Sequence, residues 1–233
     1  MQKTYTSVSI VIPVYNEKRT LPRLLDRVLA APTLGLAKQV VVVDDGSTDG
    51  TRDILKKYRA KNLTKIYLPE NHGKGYALRT GFAEATGTIV VVQDADLEYN
   101  PADYPVLLAP FVAGASRVVY GSRELHMNMH SYPLYFLGGE LVTYTTRLLF
   151  GGRLTDVPTG YKAFDRALLA KLPLRCTRFE FCPEVTALLL KRKEMIVEVP
   201  IRYAPRKLED GKKIRWWDGV EALFTLLRVR VGL

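Results

Sequence analysis

The chain has 233 residues, is 47% hydrophobic and carries a formal charge of +10, from 34 Lys and Arg against 24 Asp and Glu. That length and apolar content suffice for one substantial core and exclude a disordered or fibrous chain. The positive balance favours anionic partners such as diphosphates or acidic lipid; nucleic acid is set aside because the basic residues are dispersed and no recognised nucleic-acid module is present.

In chain order, apolar runs at Val8 to Pro13, Val40 to Val43 and Lys65 to Leu68 alternate with amphipathic stretches at Leu21 to Ala31 and Arg52 to Tyr58. Runs of β-branched residues such as VVVV and IVVV predict parallel strands covered on both faces, hence a doubly wound α/β sheet. Ile89 to Val92 predicts a further strand, Pro101 to Ala113 a helix with proline in its first turn, and Val118 to Tyr120 a short strand. Glu124 to Ser131 reads as a loop and Pro133 to Phe150 as a helix. Helices follow around Asp165 to Lys171 and Pro183 to Lys191, with strand-like segments near Ile196 to Tyr203. Asp218 and Glu221 have the spacing of an acidic capping box before Val220, Leu223, Leu226 and Leu227, which recur at helical intervals.

The opening MQKTYTSVSIVIP lacks a charged head and long apolar stretch, and no window approaches the roughly 18 apolar residues of a membrane span. Cys176 and Cys182 form neither a CxxC pair nor a disulfide framework. A cytosolic location is expected.

Ligands of open α/β sheets sit beyond the carboxyl ends of the strands. Three predicted strands end in polar clusters there: Pro13, Tyr15, Asn16 and Glu17; Asp44 to Asp49; and Asp94, Asp96 and Glu98. In an extended strand, alternate residues share a side, so the last three carboxylates are expected to face one point and to need a cation such as Mg²⁺ or Mn²⁺. Asp44 or Asp45 is a candidate acceptor of a nucleobase hydrogen bond, with Ser47, Thr48 or Asp49 capping the next helix. Asn71-His72-Gly73-Lys74-Gly75 precedes a helix and offers backbone N–H groups and a cation for phosphate. Neither GxxxxGK[ST] nor GxGxxG occurs, against an ATPase or dehydrogenase. His126 and His130 are a weak pair for zinc.

Ile-Pro-Val-Tyr-Asn-Glu, Val-Asp-Asp-Gly-Ser-Thr-Asp-Gly-Thr, Asn-His-Gly-Lys-Gly-Tyr-Ala and Gln-Asp-Ala-Asp-Leu-Glu, in this order and spacing, resemble the family-two glycosyltransferases of GT-A fold. Tyr120 to Arg123 and Thr155 to Phe164 are similar to segments of the dolichyl or polyprenyl phosphate sugar synthases. The resemblance implies that Pro13, Tyr15, Glu17, Asp44 or Asp45, Gly73 and Lys74 bind the nucleotide, that Asp94, Asp96 and Glu98 surround the metal, and that Arg123 faces the acceptor phosphate. It makes Arg206 and Lys212 candidates for diphosphate or lipid phosphate contact, and Glu180 or Glu184 candidates for closing the sugar site. Many relatives carry glutamine where Glu98 stands.

A single catalytic domain over residues 1–233 is expected, with 1–123 binding the nucleotide sugar and 124–233 the acceptor. The implied reaction is inverting transfer of a hexose from GDP-mannose or UDP-glucose to a polyprenyl (dolichyl-type) phosphate, whose anionic oxygen needs no protein base. A hydroxyl acceptor would require one, with Asp156 or Glu184 as candidates. A soluble transferase acting on a glycan, and a non-catalytic nucleotide-sugar-binding subunit, are the alternatives. The basic stretch before Trp216 and Trp217, and the amphipathic helix after it, suit peripheral attachment to an acidic membrane surface, with a membrane-anchored subunit as a further expected partner.

Overall fold

The computed structural model describes residues 4–128, 133–206 and 216–232. Seven strands form one sheet: β1 (Ser7–Val14), β2 (Ala37–Asp45), β3 (Leu63–Leu68), β4 (Ile89–Val92), β5 (Val118–Ser122), β6 (Lys162–Asp165) and β7 (Ile196–Pro200), in the order β3-β2-β1-β4-β6-β5-β7. All neighbours are parallel except β6, which runs antiparallel to both β4 and β5. The β-branched runs behave as their composition predicts: all four residues of β4 are buried, as are Val40 to Asp45 of β2.

The helices are α1 (Leu21–Ala30), α2 (Thr51–Lys57), α3 (Lys74–Glu84), α4 (Tyr104–Val112), α5 (Pro133–Phe150), α6 (Arg166–Leu169), α7 (Phe181–Lys191) and α8 (Trp216–Val231). One sheet face meets α1 and α4, through Leu21, Leu24, Leu25 and Val28 and through Tyr104, Leu107, Leu108 and Phe111. The other meets α3 and α7, through Ala77, Leu78, Phe181, Val185 and Leu189. A third cluster joins α5, α7 and α8 around Val142, Ala187, Ala222, Leu226 and Val229. Each fully buried Leu or Val contributes about 1.5–3 kcal/mol, so these layers fix where the strand ends point.

Three local expectations change. The segment Lys162–Asp165, read only as part of a motif, is a strand; four residues carrying a lysine and an aspartate have no strand signature of their own. Helix α8 starts at Trp216, so Asp218 lies inside the first turn and does not open a capping box. Helix α2 begins after Gly50, in the left-handed region, with no side-chain bond from the cap residue; Asp49 instead accepts from the Thr51 backbone N–H and hydroxyl.

Candidate active site

The polar clusters after β1, β2 and β4 lie together at the carboxyl ends of these parallel strands, joined there by the chain beyond β5 and β7. After β1, Asn16 adopts a positive φ of 50° and cross-links to the turn after β2, donating its N–H to Ser47 Oγ and accepting from the Thr48 N–H. Glu17, almost fully buried, donates its N–H to Thr51 Oγ1; its Oε2 accepts from Thr20 and from Arg206 Nη2, the latter at 2.8 Å. Pro13 and Tyr15 flank this corner, half-buried.

The adjacent carboxylates of β2 point to opposite faces. Fully buried Asp44 pairs with Arg52 Nε and accepts from the Ser47 N–H. Asp45 accepts from Asn71 Nδ2, the His72 N–H and the Gly73 N–H at 3.0, 2.9 and 2.8 Å. Burial pushes the Asp45 carboxyl up, and those backbone N–H groups partly offset it. Both acids therefore hold the fold around the site, and the expectation that Asp44 is open to a nucleobase fails because it has no exposed surface.

The Gly73-Lys74 turn also works differently from the expected amide cradle. The amides of Gly75 and Tyr76 donate to the carbonyls of Arg178 and Thr177 at 3.0 Å each, and that of Gly73 is taken by Asp45. The helix N-terminus is thus capped by the chain itself. Gly73 has φ +97°, and a Cβ there would lie 2.5 Å from the Thr177 oxygen, so only glycine fits. What the turn presents is Lys74, whose Nζ lies 2.6 Å from Asp94 Oδ1. Burial works against this charge, but Asp94 holds the ammonium above its ordinary value.

Asp94, Asp96 and Glu98 do not line up along a strand. β4 ends at Val92, and Leu97 takes φ 65°, so residues 95–98 form a turn. Glu98 is drawn away, accepting from Tyr203 Oη at 2.6 Å and from the Arg206 N–H at 2.8 Å. Among the described residues no three His, Cys, Asp or Glu side chains gather as a metal-binding group. Asp94 and Asp96 nevertheless fit a hard divalent cation shared with a diphosphate, which commonly takes only one or two protein carboxylates. Desolvation, then Asp94 and Glu98, push the Asp96 carboxyl up to about 7, with Arg206 only partly offsetting them; this is the crowding of negative charge that a cation relieves. Arg206 also donates Nε to the Asp96 carbonyl at 2.9 Å, so it stands between the β1 and β4 clusters.

Beyond β5 is a pocket lined by Arg123, Glu124, Asn128, Glu140, Asp156 and Tyr203 among others. Arg123 donates Nε and Nη2 to Asp156 at 2.7 Å each, and its backbone N–H to the same carboxylate at 3.0 Å. Its guanidinium carbon lies 5.1 Å from the centroid of the Tyr203 ring. Burial alone would raise the Asp156 carboxyl, but Arg123 holds it below its ordinary range. Tyr203 contacts Arg123 on one side and Glu98 on the other, so it links this pocket to the carboxylates after β4; the sequence assigned it no role of its own.

Glu184 accepts from the N–H groups of Arg175 and Cys176 and pairs with Arg228, while Glu180 accepts from the N–H groups of Thr177 and Arg178. These acids shape the 175–178 loop that presses on Gly73 and Gly75, through the backbone amides that they accept from. Lys212 and His130 lie outside the described residues; His126 is exposed.

The Glycosyl transferase family 2 model matches residues 9–172. Undecaprenyl-phosphate 4-deoxy-4-formamido-L-arabinose transferase of Salmonella paratyphi A is 29% identical over 210 residues, covering 88% of this chain and 62% of that protein. The chain therefore spans less than two thirds of the length of this curated relative. Among solved structures, glucosyl-3-phosphoglycerate synthase of Mycobacterium tuberculosis is similar in fold. Its complex with UDP superposes with TM-score 0.76 at 22% identity, covering 97% of this chain and 80% of that one. Its complex with Mn²⁺, UDP and glucosyl-3-phosphoglycerate gives 0.74 at 23%, covering 98% and 81%. On the family match over well more than half its length, and on a sheet that agrees with these structures, the chain belongs to glycosyl transferase family 2 and has its GT-A fold.

Proposed function

We propose that the protein transfers a hexose, with inversion, from UDP-glucose or GDP-mannose to a polyprenyl phosphate at the cytoplasmic face of a membrane. The observation that carries this reading is the Arg123–Asp156 pair in the pocket beyond β5. Both Asp156 oxygens accept from Arg123, and the carboxylate is held ionised, so this acid is a poor proton acceptor for a hydroxyl. Glu184, the other candidate base, is 2% exposed and bound to two backbone amides and Arg228. Glu124 and Glu140 also line the pocket, at its exposed rim. A fixed guanidinium whose buried carboxylate partner is committed to it suits an acceptor whose oxygen is already anionic, as a phosphate monoester is near neutral pH. The similarity to a transferase named for undecaprenyl phosphate supports the same acceptor class.

On the donor side, residues 1–123 supply Pro13, Tyr15, Glu17 and the 71–74 turn to hold the nucleotide sugar, and Asp94 and Asp96 would hold Mg²⁺ or Mn²⁺. That ion would neutralise charge developing on the departing diphosphate. Lys74 and Arg206 add fixed positive charge on either side of those acids, and their ion pairs keep them from reorganising during reaction. Residues 124–233 hold the acceptor, with Arg123, the last residue of the donor half, orienting its phosphate and Tyr203 lying between Arg123 and Glu98. Alignment of the phosphate oxygen behind the anomeric carbon makes one displacement sufficient and inverts the anomeric configuration. Lys212 is assigned to phosphate contact by resemblance alone.

Attachment to the membrane surface is supported by two helices. α5 exposes Leu137, Leu141, Tyr144 and Leu148, and α8 exposes Trp217, Val220, Phe224, Leu227 and Val231, each set at helical spacing. No described helix is long and apolar enough to cross a membrane. Such stripes on a chain of charge +10 suit an acidic bilayer surface.

The test is transfer of label from UDP-glucose and, separately, GDP-mannose to polyprenyl phosphate with Mg²⁺ or Mn²⁺, followed by solvent extraction. Metal-dependent label in the lipid phase, released by mild acid, supports the reading. Nucleotide release with no lipid labelling removes the lipid acceptor.

A further inference from the structure

Glu198 is absent from every motif and lies in mid-β7, yet it holds the loop that carries Asp156. Its Oε2 accepts from the Thr155 N–H at 2.7 Å and the Thr155 hydroxyl at 2.9 Å, and its Oε1 accepts from the Asp156 N–H at 3.0 Å. All three partners donate to it. β7 pairs with β5 in the register Tyr120↔Glu198 and Ser122↔Pro200, which sets the carboxylate beside the end of β5, just before Arg123. Thr155 Oγ1 also lies 2.7 Å from Ser122 Oγ. The same loop is held further on by Thr143 Oγ1, which accepts from the Val157 N–H at 3.2 Å, and by the Lys162 ammonium, which donates to the Val157 carbonyl at 3.0 Å.

A chain of contacts therefore runs from Glu198 through the 155–156 backbone to the Asp156 carboxylate, and from there to Arg123. A guanidinium on a flexible stem is useful to a reacting phosphate only if its plane is fixed, and here one buried carboxylate fixes it on two nitrogens. The orientation of that carboxylate depends in turn on the backbone held by Glu198. We propose that Glu198 is a positioning residue for acceptor use: it locks the Thr155-Asp156 backbone so that Asp156 presents both oxygens to Arg123. The proposal rests on the reading of the Arg123 pocket as the acceptor site.

Glutamine at this position keeps the shape but substitutes an NH₂ donor for one acceptor oxygen, opposing a backbone N–H. Glu198→Gln is thus expected to raise the KM for polyprenyl phosphate by about tenfold, comparable to loss of one good contact, with the KM for the sugar donor unchanged. Steady-state kinetics are measured for wild type, Glu198→Gln, Arg123→Ala and the double variant, below the unfolding temperature of each. If Glu198 acts through Arg123, the double variant matches Arg123→Ala; multiplied losses overturn the proposal. A normal acceptor KM in Glu198→Gln beside a raised one in Arg123→Ala overturns this inference alone. A normal acceptor KM in Arg123→Ala overturns the acceptor-pocket reading and the inference with it. Should Glu198→Gln fail to fold, Thr155→Val, which removes the hydroxyl linking Ser122 and Glu198, carries the same comparison with a smaller shift in the same direction.

Discussion

Arg206 reaches back across 189 residues to Glu17, its Nη2 lying 2.8 Å from Glu17 Oε2. The contact ties the chain after β7 to the turn after β1, and both side chains are largely buried, 14% and 8% exposed. With its Nε on the Asp96 carbonyl and its backbone N–H on Glu98, Arg206 is held to three atoms of the donor side. Arg206→Ala should lower kcat by about 10²–10³-fold, as removal of a preorganised charge donor commonly does. In a double-mutant cycle with Glu17→Gln, measured by steady-state kinetics, the two losses should overlap by about 0.5–3 kcal/mol; additive losses would mean that the pair acts separately.

Asp96 sits where negative charge is crowded, so its removal should separate activity from stability. Asp96→Ala is expected to lower transfer by about 10²-fold or more, while the metal-free thermal midpoint stays level or rises because repulsion with Asp94 and Glu98 is relieved. Added Mn²⁺ should raise the midpoint of the wild type and leave that of the variant unmoved. A variant that is still active and metal-responsive would remove Asp96 from the metal site.

Gly160 packs directly on Asp94. A Cβ there would collide with the Asp94 carboxylate and lie 3.1 Å from the Tyr99 ring. Gly160 also donates its N–H to Tyr99 Oη at 2.8 Å. Gly160→Ala should cost about 1–3 kcal/mol of stability by overpacking, and should lower activity beyond that by displacing Asp94 from Lys74. Urea denaturation and kinetics on the folded fraction separate the two effects.

Lys162 is fully buried, with Nζ 3.5 Å from the centroid of the Tyr120 ring and bonded to the Val157 carbonyl. Desolvation lowers it to about 8, while Cys182, Asp156 and Glu198 raise it and Arg123 lowers it further. Since the unfolded lysine keeps its proton to about 10.4, the unfolded state binds more protons between about pH 8 and 10.4. Stability from this group therefore rises with pH across that window, by on the order of 1–3 kcal/mol. Lys162→Met should flatten the rise in urea denaturation series at successive pH values; an unchanged slope would assign it to other groups.

The left half of the sheet was legible because β1, β2 and β4 are runs of β-branched residues, whose burial on both faces writes itself into composition. β6 was not, since Lys162 and Asp165 are buried polar residues whose partners, Val157 and the Leu168 N–H, appear only in three dimensions. The site shows the same divide. Motif spacing indicated Asp94 and Asp96, but not that Leu97 turns left-handed and sends Glu98 to Tyr203 and Arg206. The amides of the Gly73 turn look free in sequence and are taken by Asp45 and by the carbonyls of residues 177 and 178, the latter about a hundred positions away. The division at residue 123 is likewise one of sequence: β6 and β7 share the sheet with β1 to β5, and Arg206 returns to the donor side.

The central claim is an anionic acceptor that needs no protein base. The measurement that bears on it most directly compares polyprenyl phosphate with the dephosphorylated polyprenol as acceptors at equal concentration, using wild-type protein and one labelled donor. Label should enter only the phosphate lipid, with a rate that follows ionisation of the acceptor phosphate near pH ~6. Equal transfer to the alcohol would contradict the account, because it would require a base; neither Asp156 nor Glu184 is placed to supply one, and the role would pass to Glu124 or Glu140 at the pocket rim.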